Sequence, residues 1–125
     1  MREVIRTSAA PSSPLYSQGV KIGNQIFVTG TTGVDVTTGA AAGPTIQEQT
    51  QQALENCAAI LKAADATLGD VAEVGILLAD PDDFGGMNEE YAKWFPENPP
   101  VRYTARLGPQ LPGILVSIRM TAVLD

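Results

Sequence analysis

The sequence predicts an α+β fold, a mixed five- to six-stranded sheet with two helices on one face. Three observations predict it. Two segments, near residues 45–64 and 81–95, carry apolar residues at helical spacing. Short runs rich in Val, Ile and Thr alternate in strand fashion around them. The chain has 125 residues, enough for one core and too few for two, so residues 1–125 read as one domain.

The elements follow in order. Residues 3–6 suit a short strand, and residues 11–14 form a Ser/Pro-rich loop because Pro cannot donate to a sheet ladder. Residues 16–21 can be extended, Gly23-Asn24 reads as a tight turn, and residues 25–29 pair back in a hairpin. Residues 31–44 are Thr- and Gly-rich with little periodicity and read as a long loop. Thr45 and Glu48 have capping-box spacing. Behind them Ile46, Ala53, Leu54, Cys57, Ile60, Leu61 and Ala64 form a helical stripe that ends near residues 65–69. Residues 71–79 read as a strand. Asp80-Pro81 starts a second helix, with Phe84, Met87, Asn88, Tyr91 and Phe95 on one side and Pro96 as its stop. Residues 102–107 and 115–124 read as the last two strands.

Composition narrows the function classes. Aromatics are only 6% of the chain, so the core must come from Val, Ile, Leu and Ala. A net charge of −6 and the lack of any basic run disfavour nucleic acid as a partner. There is no histidine, which removes the usual general base and the commonest metal ligand. The single cysteine, Cys57, cannot form an internal disulfide, which fits a reducing cytoplasm; on a helical stripe it reads as a small core residue. Residues 1–8 lack a signal-type apolar core, and no run approaches the ~20 apolar residues a membrane helix needs.

The last strand points to self-association. Ile114, Val116, Ile118, Met120, Ala122 and Leu124 make one apolar face. Leu115, Ser117, Arg119, Thr121 and Val123 make the other, too apolar for a wet surface and too polar for a sealed core. Two helices cannot cover both faces, and a second copy of the chain is the simplest cover. The alternative cover is the 31–44 loop.

Several residues could carry chemistry. Arg102 follows Pro99-Pro100-Val101, a stiff approach, and a guanidinium grips a carboxylate with two parallel hydrogen bonds. Taken in isolation, such an arginine is more often a surface residue or part of a salt bridge. Arg102, Thr104 and Arg106 share a face if the segment is extended, which suits an anionic ligand or an intersubunit ion pair. Tyr16 could wall a pocket or simply pack. Asn88 sits on an apolar stripe and needs a partner: a loop carbonyl, a ligand or another subunit. Asp80, Asp82 and Asp83 are better explained by helix N-terminal placement than by metal binding.

These residues fall in a familiar order. The chain resembles the Rid family of enamine/imine deaminases at PLYSQG (residues 14–19), FVTG (27–30), EQTQQALENCAAIL (48–61), DFGGMNEEY (83–91), PVR (100–102) and LVSIRMTAVL (115–124). The resemblance implies a chorismate-mutase-like fold assembled as a homotrimeric barrel, with sites between neighbouring subunits. It implies hydrolysis of 2-iminobutanoate- and 2-iminopropanoate-type acids to 2-keto acids and ammonia, without cofactor or metal. By the same resemblance Arg102 binds the substrate carboxylate, Tyr16, Thr29, Gly30, Asn88 and Thr104 line the site, and Ser117 takes the catalytic position next to the attacking water. Ser117 and Arg119 stand where such deaminases usually carry two glutamates, and a serine is a poor base at neutral pH. That departure also fits a member acting on a different imine or anionic metabolite, or a trimer that binds a small molecule without turnover.

Overall fold

The computed structural model describes residues 1–125. In chain order the strands are β1 (Arg2–Ile5), β2 (Gly19–Ile22), β3 (Gln25–Thr32), β4 (Val34–Asp35) and β5 (Ala40–Ala41), followed by helix α1 (Ile46–Ala63). Then come β6 (Val71–Leu78), α2 (Phe84–Tyr91), β7 (Val101–Arg106) and β8 (Val116–Val123). Six strands form one sheet in the order β1-β2-β3-β8-β6-β7, and β4 and β5 form a separate small hairpin. Only β6 and β7 run parallel. Parallel neighbours need a crossover, and α2 supplies it.

Both helices lie on one face, as the periodicity predicts. Along β8, Val116, Ile118, Met120 and Ala122 are fully buried, while Ser117, Arg119 and Thr121 between them are half-buried on the other face. Ala53, Leu54, Cys57, Ile60 and Leu61 of α1 pack on the buried side, joined by Met87 of α2. Each large aliphatic side chain taken fully from water contributes about 1.5–3 kcal/mol, so this layer is the main source of stability. The opposite face stays open: Phe27 is 37% exposed, Tyr103 47% and Val123 40%.

The structure differs from the sequence reading in four places. Strand β3 does not stop at Thr29 but runs to Thr32, and residues 34–41 form the β4–β5 hairpin instead of a covering loop. The cause is a bulge: between the pairs Val28↔Met120 and Thr31↔Ile118, β3 carries one more residue than β8. The extra residue resets which side chains face the core. Thr31 is therefore buried, its hydroxyl donating to the Thr29 carbonyl over 2.7 Å. Second, half of the Thr45–Glu48 capping box forms as expected, and the other half differs because the carboxylate bonds the hydroxyl and not the Thr45 N–H. The Thr45 hydroxyl accepts from the Glu48 N–H at 3.2 Å and donates to the Glu48 carboxylate at 2.8 Å. Third, the second helix begins as a 3-10 turn, Pro81–Asp83, capped by the Asp80 carboxylate accepting from the Asp82 N–H, and α2 proper ends at Tyr91, before Phe95. Fourth, α1 buries polar residues that the apolar stripe did not include. Gln49 donates to the carbonyls of Gly43 and Gly113 and accepts from the Leu115 N–H, and Asn56 donates to the carbonyls of Thr32 and Val34. These amides satisfy loop backbone that would otherwise be buried without partners.

Candidate functional site

Arg102 ends a row of residues that crosses the whole sheet. Pairing links Ile5, Gly19, Val28, Met120, Val74 and Arg102 side by side. The first five are buried, and the sixth, on edge strand β7, is a half-buried cation facing the helix layer. The crossover helix receives it. Arg102 Nη1 donates to Asn88 Oδ1 over 2.8 Å. The guanidinium carbon lies 4.8 Å from the Tyr91 ring centroid and 5.8 Å from that of Phe84. A charged hydrogen bond and two aromatic faces together hold the guanidinium in one place. Tyr91 is itself stacked on Phe95, with centroids 4.9 Å apart. Burial pushes the Tyr91 hydroxyl up from its ordinary value, and the Arg102 charge opposes that shift in part.

Arg102 has no carboxylate partner. The chain's two ion pairs are Lys93–Glu90 and Arg119–Glu73. The asparagine on the apolar stripe gives its amide oxygen to Arg102 and makes no bond to a loop carbonyl. Thr104 and Arg106 share the Arg102 face, since they pair with the buried Ile76 and Leu78. They border a cavity of about 390 Å³, together with Leu78, Pro81 and Phe84.

The other candidates lie elsewhere. Gly30 sits in the β3 bulge, where an added Cβ would come within 3.0 Å of Ser117 Oγ on the open face. Thr29 lines a groove of about 350 Å³ with Ser17, Phe27 and Arg119. Tyr16 is half-exposed in the loop before β2, over a polar cavity of about 720 Å³ that Arg6 and Ser17 also line. Buried Gln18 anchors this loop by donating to the carbonyls of Thr7, Ala10 and Pro11. Strands β8 and β6 separate β3 from β7, so Thr29 and Gly30 stand about 14 Å from the Arg102 strand, while Ser117, on β8, faces the opposite side of the sheet from Arg102. Arg102 and Asn88 come together, with Thr104 on the same strand face, and Gly30 lies against Ser117, with Thr29 in a separate groove, but one chain does not bring these residues into one pocket.

Arg119 is accounted for within the chain. Its Nη1 donates to Glu73 Oε1 at 2.7 Å and its Nη2 to the Thr121 hydroxyl at 2.6 Å. Cys57 is fully buried, and burial pushes its thiol up to about 12, which suits a core residue and not a nucleophile. The acidic residues of the chain do not gather into a group that could hold a metal ion.

A family model described as endoribonuclease L-PSP matches residues 7–124. The chain belongs to the Rid family. It is 41% identical over 124 residues to a RutC family protein of Pyrococcus horikoshii, covering 98% of each. It is 37% identical to the 2-iminobutanoate/2-iminopropanoate deaminase of Rattus norvegicus, covering 98% of this chain and 90% of that protein. Among solved structures, E. coli TdcF with bound serine superposes at a TM-score of 0.91, with 29% identity, over 98% of this chain and 99% of that one. The α+β fold read from the sequence is thus a Rid fold.

Sequence reasoning missed the bed of Arg102. Phe84 and Tyr91 were legible only as helix packing, although the stripe 84, 88, 91 with an amide at its centre was the available signal. Glu73, the partner of Arg119, left no signal, because the two are 46 residues apart.

Proposed function

We propose that the chain hydrolyses small 2-imino acids, of the 2-iminobutanoate/2-iminopropanoate kind, to 2-keto acids and ammonia. The observation that carries this reading is the Arg102 guanidinium, oriented by Asn88 and two rings yet without a carboxylate partner. Such a group is prepared for the carboxylate of a small acid. The deaminase names of relatives sharing over a third of their residues support the same chemistry.

The site is completed between copies in a homotrimer. The open sheet face, with Phe27, Tyr103 and Val123 partly exposed, supports such packing. It would bring Thr29, Gly30, Ser117 and Tyr16 of one copy to Arg102 and Thr104 of the next. Arg102 pairs with the carboxylate and fixes the imine carbon. Water held by the Ser117 hydroxyl adds to that carbon, the nitrogen takes protons, and the C–N bond breaks to release ammonia and leave the carbonyl. Serine is a weak base, so positioning and electrostatics must supply the acceleration. No cofactor or metal enters this scheme. No helix is long and apolar enough to cross a membrane, and a cytoplasmic location is part of the proposal. The net charge of −6 and the lack of histidine weigh against RNA cleavage.

The test couples the purified protein to a threonine dehydratase and follows the lifetime of the released imine. Wild type shortens that lifetime and Arg102→Ala does not. An unchanged lifetime with wild type, or full activity in Arg102→Ala, overturns the reading. Because Ser117 is a hydroxyl where a carboxylate would be the stronger base, a second reading keeps the pocket but assigns it binding without turnover. Tight binding of 2-keto acids with an unchanged imine lifetime would select it.

A further inference from the structure

Arg106 is the one cation near Arg102 that the scheme above leaves idle. It is exposed, makes no ion pair within the chain, and lies on the same face of β7 as Arg102. The two residues stand four apart on an extended strand, about 13 Å between Cα atoms. Their side chains do not diverge into separate surroundings. Phe84 lies beneath the Arg102 guanidinium at 5.8 Å and also lines the cavity that Arg106 borders. Thr104, midway between them, offers a hydroxyl to the same space. Leu78 and Pro81 complete a partly apolar wall. Phe84 is thus the shared wall between a fixed guanidinium on one side and a cavity edged by a hydroxyl and a free guanidinium on the other.

We infer that Arg106 is a specificity residue, selecting substrates that carry a second carboxylate several bonds from the one held by Arg102. The inference rests on the reading of Arg102 as the carboxylate anchor and names the substrate class of that site: dicarboxylic 2-imino acids over monocarboxylic ones of equal length. A monocarboxylate would leave Arg106 in water and gain nothing from it. A diacid lays its carbon chain along Phe84 and places its far carboxylate at Arg106. Because Arg106 is exposed, its contribution is modest and sensitive to salt.

The test is calorimetric binding to the intact protein of two keto-acid products matched in carbon number, 2-oxoglutarate and 2-oxopentanoate. At low ionic strength wild type binds the diacid more tightly, by roughly fivefold, the scale of an exposed ion pair. Arg106→Gln brings that ratio close to one, and Arg102→Gln weakens both ligands. Circular dichroism confirms that the variants fold, which the exposed edge position of Arg106 favours. Equal affinities in wild type, or a ratio that Arg106→Gln leaves untouched, overturn the inference. The imine-lifetime assay separates this from the broader reading. A diacid preference without turnover keeps the role of Arg106 and removes the hydrolase; turnover without preference does the reverse. Binding of neither acid overturns both.

Discussion

Arg102 Nη1 donates to Asn88 Oδ1 at 2.8 Å, tying the edge strand of the sheet to the helix that delivers the chain to it. The bond spans 14 residues of sequence and turns a flexible side chain into a fixed one. It also makes Asn88 a positioning residue, because its amide oxygen faces the guanidinium and no negative charge competes with a ligand for that cation.

Asn88→Ala should therefore raise KM several-fold with a smaller change in kcat, since the guanidinium loses orientation and keeps its charge. Asn88→Asp should be worse, because an adjacent carboxylate neutralises Arg102 in place of the substrate. Its defect should ease as pH falls through the range where that carboxylate takes up a proton. Steady-state kinetics of both variants across pH checks this. A purely structural role for Asn88 would show no such pH dependence.

Arg102→Lys should raise KM by an order of magnitude or about that. A lysine keeps the charge but loses the planar fork and its fit over the Tyr91 ring. Kinetics in the imine-lifetime assay, with thermal unfolding to verify the fold, measures it.

Gly33→Ala should destabilise the protein by about 1–3 kcal/mol. The added Cβ would lie 2.3 Å from the Gln49 carbonyl oxygen and 2.8 Å from its Cα, both rigid backbone of α1. Urea unfolding measures the loss, and a change below about 0.5 kcal/mol would show that the end of β3 can move away from the helix.

Glu73 and Arg119 should couple weakly. In the single chain their side chains are 48% and 29% exposed, so water screens the pair, and a double-mutant cycle with Glu73→Gln and Arg119→Gln should give at most about 1 kcal/mol unless a neighbouring copy covers it. That coupling should shrink at high salt.

Cys57 should be unreactive toward thiol reagents in the native protein at pH 8 and should react fully in denaturant. Burial raises its value from 9.0 to about 12, with a Thr31 hydrogen bond opposing in part. The sign for stability follows. Well below pH 9 the thiol is protonated in both states and adds no pH dependence. Between 9 and about 12 the unfolded thiol ionises while the buried one does not, so stability falls as pH rises. Comparing wild type with Cys57→Ala in denaturant at pH 8 and pH 10 should show a shallower loss in the variant.

The sequence by itself determined the layers of this protein. The alternation from Val116 to Ala122 and the helical spacing from Ala53 to Leu61 are local patterns whose periods declare which side is apolar, and burial of those sides follows directly. Resemblance of short motifs in order was enough for the family. Strand ends near Thr29 were less legible, because the bulge that carries β3 onward exists only in register with β8. Tertiary structure alone decided who meets whom. That Asn88 and Tyr91 hold Arg102, that Glu73 takes Arg119, and that Ser117 and Thr29 lie away from Arg102 all depend on the strand order β3-β8-β6-β7. Strand order is set by which long-range pairings bury the most surface together, and no single segment contains that information.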